Sequence, residues 1–172
     1  TTLMRDFKNT YIKSKLISGI EGYVVDIGAG KGGDISKFGF NENIKKVVSV
    51  EPNVGFGKEF SDRLEKSKFK KKFKLLNGVK GEDWESIIEG MESWFPKDMS
   101  SETLTVTFMI SLSFFWSSKK NLTALSTTLK EIDRWYRSKG GVKNLNMVYL
   151  TIDGYKVESF FKSRGVSEVK LN

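Results

Sequence analysis

The sequence predicts an α/β domain in which a mostly parallel sheet carries helices on both faces. Three observations carry that prediction. Short, continuously apolar runs alternate along the chain with longer segments of helical period. The first such run ends in a glycine-rich turn, VVDIGAGKGGD, from Val24 to Asp34. The 172 residues, 38% of them apolar, supply one core, so a single domain over 1–172 is expected.

Residues 6–17 place Phe7, Ile12, Leu16 and Ile17 at helical spacing with Lys8, Lys13 and Lys15 between them, which predicts a leading helix over about 5–18. Tyr23 to Ile27, broken only by Asp26, reads as a buried strand feeding the turn at Gly28. A helix is expected over Gly32 to Phe38. Lys46 to Val50 forms the second strand, stopped at Glu51-Pro52-Asn53 because Pro52 lacks the amide hydrogen a ladder needs. Val54 to Lys66 follows as a helix with Phe56, Phe60 and Leu64 on one stripe. Phe73 to Leu76 is the third strand, Trp84 to Trp94 a helix, and Leu104 to Ile110 a fourth strand rich in Thr, Val and Phe. Leu122 to Tyr136 repeats the helical period, and Asn146 to Ile152 is a fifth strand closed by Asp153-Gly154.

Composition narrows the chemistry. The chain has no cysteine and no histidine, which removes disulfides, zinc sites of the usual ligands, thiol nucleophiles and imidazole bases. Lys and Arg total 29 against 21 Asp and Glu, a formal charge of +8 that favours polyanionic partners. Six lysines crowd KSKFKKKFK, Lys66 to Lys74, either as a solvated face or as a seat for RNA phosphates. No window is apolar enough to be a signal peptide or a membrane span, so no membrane partner is expected. The chain begins at Thr1 and is read as a piece of something longer.

Ligands of open parallel sheets sit beyond the carboxyl ends of the strands, at the switch point. The Gly28 loop, Glu51 and Ile110 to Ser113 all lie at such ends, and they are expected to converge on one cleft. Gly28, Gly30 and Gly33 satisfy G-x-G-x-x-G, which alone is a weak sign of a dinucleotide site, and no Gly-Lys-Ser/Thr follows at Walker spacing. Asp26 separates the remaining readings. A nicotinamide cofactor needs loop amides and a helix N-terminus for its pyrophosphate and gains nothing from an acid in the preceding strand. S-adenosylmethionine has no phosphate but carries a sulfonium and an ammonium, which a carboxylate complements. Glu51, after the second strand, is placed to accept both ribose hydroxyls. The alternative is that Asp26 caps a turn and Glu51 is a solvated strand end.

The loop also resembles that of a known family. Val25 to Lys37 is similar to the hydrophobic-Asp-hydrophobic-Gly-x-Gly-Lys-Gly-Gly-Asp-hydrophobic-x-Lys loop of mRNA cap guanine-N7 methyltransferases, above all those in capping enzymes of large DNA viruses (African swine fever virus, mimivirus and poxvirus type). Upstream, Arg5-Asp6-Phe7-Lys8-Asn9-Thr10-Tyr11-Ile12-Lys13 resembles the family's leading helix, with Lys8 in place of the family's first asparagine. The resemblance runs from Arg5 to roughly Phe161. It implies a Rossmann-like class I S-adenosylmethionine-dependent methyltransferase that acts on the 5′ cap of mRNA and releases S-adenosylhomocysteine. Other capping domains in the same polypeptide and a cytoplasmic setting, a virus factory or virion if the source is viral, belong to the same expectation.

By that resemblance the cofactor side comprises Lys13 (on the cofactor's carboxylate), Asp26, Gly28, Ala29, Gly30, Asp34, Glu51, Val79, Met109 and Ser111. The cap side comprises Asn9, Lys31, Lys37, Arg63 and Phe114. No metal is called for, and no catalytic side chain either: guanine N7 already offers a lone pair, so alignment supplies the catalysis, up to about 7–11 kcal/mol. The chain departs from the family in three places. Asn77 to Asp83 has no clear counterpart of the adenine-contacting acidic loop. Met109-Ile110-Ser111-Leu112-Ser113-Phe114 replaces Gln-Phe-x-x-His-Tyr, leaving Phe114 as the ring for the guanine, or Phe114, Phe115 and Trp116 as core aromatics. The family's later strands, with a glutamate and an aromatic at the cap, have no match in Val166 to Asn172, so a truncated C-terminal part is expected. Two rival readings stand beside this one: a ribose 2′-O-methyltransferase, for which the acid after the fourth strand is missing, and a non-catalytic methyltransferase-like subunit that binds RNA or stimulates a partner.

Overall fold

A computed structural model of the protein describes residues 2–151. Five strands, β1 (Gly22–Ile27), β2 (Ile44–Glu51), β3 (Phe73–Asn77), β4 (Leu104–Met109) and β5 (Asn146–Leu150), form one sheet in the order β3-β2-β1-β4-β5. Every neighbouring pair is parallel. The chain leaves β1 toward β2 and β3, then returns to add β4 and β5 on the other side. The switch point therefore lies at the carboxyl ends of β1 and β4, where open α/β sheets hold their ligands.

The three central strands are buried on both faces, which is why they read as continuous apolar runs rather than as an alternation. Alternate side chains divide between two cores. Val25, Ile27, Val48, Val50, Val106 and Phe108 pack under α5 (Trp84–Trp94) and α6 (Lys119–Ser138). Val24 and Val47 face the other way, against α2 (Lys13–Ser18), α3 (Ile35–Phe40) and α4 (Val54–Glu65), through Ile17, Ile35, Phe38, Phe60 and Leu64. Asn53, Asp83 and Ser118 cap the N-termini of α4, α5 and α6, each accepting a backbone N–H two or three residues into the helix. No helix among the described residues is long and apolar enough to cross a membrane.

The structure corrects several expected boundaries. Gly32 sits at φ +78°, outside helical geometry, so α3 begins three residues later than expected, at Ile35. The leading segment is helical but not uniform: α1 (Thr2–Asp6) and α2 flank a π-helical stretch, Phe7–Ile12. Phe7 is not on the inward stripe. It is half exposed and stacks on Tyr11, ring centroids 5.4 Å apart. Phe56 likewise leaves the stripe that Phe60 and Leu64 keep. Strand β4 stops at Met109 because Ile110 adopts φ +85°, a conformation rare for a β-branched side chain. Helix α6 is longer at both ends than its apolar period, since Ser118 rather than Leu122 starts it. The expected strand end at Ile152, the turn Asp153-Gly154 and the stretch from Phe161 to Asn172 lie outside the described residues.

Candidate functional site

The glycine loop leaves β1 and turns between the ends of β2 and β4. Gly28 and Ala29 donate their N–H groups to Val50 O (2.8 and 3.0 Å), which ties the start of the loop to β2. Gly28 has φ +80°, and a Cβ there would overlap Ser111 Cβ. Ser111 is itself buried, and its hydroxyl donates to Ile27 O. A side chain at 28 would thus push β1 and the post-β4 turn apart. Beside Gly30, in contrast, a Cβ would meet nothing within 4 Å, so the loop leaves open space at that point.

Glu51 closes the far edge of the loop. It is buried, its Oε2 accepts from Gly30 N (2.7 Å) and its Oε1 accepts from Asn53 N (2.8 Å). The reading of Glu51 as a solvated strand end is thereby excluded. A carboxylate offers about four acceptor sites, so two remain for further donors.

Asp26 is not a turn cap either. Its neighbours across the sheet are Ser49 on β2 and Thr107 on β4, so the three side chains form a polar row beneath the loop. Thr107 Oγ1 donates to Asp26 Oδ1 (2.7 Å), whereas the Ser49 hydroxyl is buried without a partner among the described residues. Burial pushes the Asp26 carboxyl up to about 7, against the lowering effect of the Thr107 hydrogen bond. The charges of Asp34 and Glu51 raise it further, and Lys13 opposes them. Desolvation with too few cations nearby is the physical cause.

Asp34 gathers the cations. Lys13 Nζ from α2 donates to its Oδ2 (2.7 Å), and Lys37 Nζ lies 2.9 Å from its Oδ1, all three side chains being less than one-fifth exposed. The leading helix is thus brought to the glycine loop by an ion pair. Lys37 also donates to Gly33 O (3.0 Å), so it is bound into the loop rather than held out from it.

A cleft of about 230 Å³ opens between Ile27, Gly28, Pro52, Lys80, Gly81, Glu82, Ser111, Phe114, Phe115 and Asn121. The chain after β3 enters it through Lys80, Gly81 and Glu82, while Val79 packs against the core below. Met109 also points into the core, on the α3 and α4 side. The aromatic triplet after β4 splits: Phe115 is buried, Phe114 is 76% exposed at the rim, and Trp116 is half exposed. A 3₁₀ turn over Leu112–Ser117 produces this split.

Other expected substrate residues are dispersed. Asn9 lies half-buried in the π-helical stretch. Lys31 pairs with Glu59 (2.9 Å) and sits 4.9 Å from the Phe56 ring centroid. Arg63 stands in the last turn of α4, one turn beyond Glu59, the partner of Lys31. Sequence reasoning missed Pro52, Lys80, Glu82 and Asn121. Only the position of Asn77 to Asp83 after a strand end pointed toward two of them.

No family model matches the sequence, and no curated protein matches it. The fold does find matches. The crystal structure of PRMT6 superposes with a TM-score of 0.56 at 17% identity, over 84% of this chain and 43% of that one. The crystal structure of PRMT6-SAH gives 0.59 at 16% identity, over 85% and 45%. A putative rRNA-methylase from Clostridium thermocellum gives 0.50 at 12% identity, over 93% and 80%. At such identities the likeness establishes the fold, and this is the class I methyltransferase fold. The chain spans less than half the length of the PRMT6 structures it matches.

Proposed function

We propose that this chain uses S-adenosylmethionine to methylate guanine N7 of the mRNA 5′ cap. The observation that carries the cofactor is the excess of acids at the switch point: Asp26, Asp34 and Glu51 surround the glycine loop, two of them buried, and burial first and the neighbouring acids second push the Asp26 carboxyl up to about 7. A cationic ligand relieves that excess, and the open space beside Gly30 receives it. When bound, S-adenosylmethionine supplies a methyl group already activated by its sulfonium. Glu51 accepts from the ribose hydroxyls through its remaining acceptor sites. Lys13 exchanges part of its pairing with Asp34 for the ligand's carboxylate. Lys80, Gly81 and Glu82 line the side of the cleft where the adenine would lie.

Two observations support the cap as the acceptor. Loop and leading helix carry the motif that resembles the cap N7 enzymes, and Phe114 stands exposed at the rim, with its ring free to stack on a guanine that becomes cationic on methylation, an attraction of about 0.5–2 kcal/mol. N7 needs no general base, and the residue after β4 that would be one in a hydroxyl methylase is Ser111, whose hydroxyl is committed to Ile27 O. Asn9, Lys31 and Arg63 serve as cap contacts, with Lys37 shared between cap and cofactor sides; a capped mRNA 5′ end is the partner. Methyl transfer to GpppA-capped RNA, followed by nuclease digestion to locate the methyl group, tests the proposal. The expected product is 7-methylguanosine; label on the first ribose assigns the 2′-O reading, and no transfer despite cofactor binding assigns the non-catalytic one.

A further inference from the structure

A second concave surface lies away from the cofactor cleft. Ser14 and Ser18 on α2 face Ser36, Lys37 and Phe40 on α3 across a groove of about 660 Å³, closed at its far end by Asn41, Glu42 and Asn43. One end adjoins the Lys13–Asp34–Lys37 cluster, and hence the glycine loop. The other end carries Phe40, a ring 65% exposed at the end of a helix.

The lysine-rich segment builds that far end. Lys72 is not a solvated charge: its Nζ donates to Gly39 O (3.0 Å) and Asn41 O (2.7 Å), clamping the chain that follows α3, and burial lowers its pKa. Asn41 in turn donates to Ile17 O and Ile20 O (2.9 and 2.8 Å), which fixes the end of α2 to the same loop. With both walls tied, Phe69 meets Phe40 edge to face at 4.9 Å, and exposed Lys68 places its Nζ 4.7 Å from the Phe40 centroid. An exposed aromatic ring beside a cation, leading along a hydroxyl- and amide-lined groove toward two further lysines, is the combination that holds single-stranded nucleic acid: rings stack on bases while cations meet phosphates. The charge of the acidic member, Glu42, acts on Lys72 and opposes the lowering by burial. Neither an apolar protein segment nor a rigid duplex suits a polar groove with one protruding ring.

We propose that the α2–α3 groove binds the single-stranded RNA that follows the cap, with Phe40 stacking on a base and Lys68 meeting the backbone. This rests on the capped-RNA reading above, and the test separates the two. Phe40→Ser and Lys68→Glu both alter exposed side chains outside the cap and cofactor set, so turnover of a GpppA dinucleotide should stay at the parent level. On a capped 20-nucleotide RNA, Phe40→Ser should raise KM roughly 5- to 100-fold, and Lys68→Glu should weaken binding at low salt with a salt slope shallower by about one. Fluorescence anisotropy with an uncapped single-stranded 20-mer gives the same comparison without catalysis. If the parent methylates neither substrate, the enzyme reading fails while the anisotropy still decides the groove. Unchanged affinity in both variants overturns the groove, as does equal weakening of single-stranded and duplex RNA by Phe40→Ser.

Discussion

Replacing Asp26 by Asn removes a charge that the fold holds at a cost. The carboxyl is raised from 3.8 to about 7 by burial first and by the neighbouring acids after that. Its sign follows from linkage: between the two values the folded state holds a proton that the unfolded state has lost, so stability falls as pH rises through that window. A gap of about three units corresponds to about 4 kcal/mol lost by pH 8 relative to strong acid, and about 2–3 kcal/mol of it between pH 5 and pH 8. The amide carries no such cost. It keeps the Thr107 hydrogen bond through its carbonyl and offers an N–H toward Ser49, whose hydroxyl is otherwise unpartnered among the described residues. Asp26→Asn should therefore match the parent near pH 5 and exceed it by about 2–3 kcal/mol at pH 8, read from urea unfolding followed by tryptophan fluorescence at half-unit pH steps. The substitution should also weaken S-adenosylmethionine, because the same carboxylate offsets the ligand's positive charge, and binding to the parent at pH 7 should release part of a proton in calorimetry run in buffers of different ionisation enthalpy. Stability profiles of parent and variant that run parallel from pH 5 to pH 8 would refute the reasoning.

Glu51→Ala should cost about 1–3 kcal/mol of cofactor affinity by calorimetry and lower the melting temperature, since the Gly30 and Asn53 amides lose their acceptor; Glu51→Gln should recover more of the melting temperature than of the affinity, and recovery of both alike would leave the residue a purely structural role. Gly28→Ala should destabilise by about 2–4 kcal/mol, because an L side chain is strained at φ +80° and meets Ser111; a melting temperature within one degree of the parent would show that the turn yields. Lys31→Ala should weaken capped-RNA binding and flatten its salt dependence with cofactor affinity intact, whereas Lys37→Ala should disturb both, since Lys37 shares Asp34 with Lys13. Arg63→Ala, one helical turn beyond Glu59, should likewise weaken capped-RNA binding with cofactor affinity intact, and unchanged cap binding in that variant would put the last turn of α4 outside the site.

Much of the site was legible because its signals are local. A glycine run after an apolar strand has few alternatives to a turn at the sheet edge, and an acid one strand later falls at the same edge once both strands are parallel. The errors lie where side-chain direction decides. Met109 stands at a strand end as expected, yet its side chain is buried in one core, and Val79, beyond the end of β3, packs partly buried against the other. Phe114, Phe115 and Trp116 are equivalent in sequence, and only the 3₁₀ turn sorts the exposed rings from the buried one.

Apolar periodicity and turn chemistry determined the five strands, the helices between them and the loop, since a strand buried on both faces and a capped amphipathic helix each announce themselves within about ten residues. Charge pairing did not follow from them. That Lys13 reaches Asp34 across 21 positions, that Ser49, Asp26 and Thr107 line up in one buried row, and that Lys72 is a clamp while exposed Lys68 lies over Phe40 and Phe69, all depend on which strands and helices become neighbours. Register and packing between distant segments set those distances, and a carboxylate's proton affinity or a lysine's availability is a property of its surroundings rather than of its place in the chain.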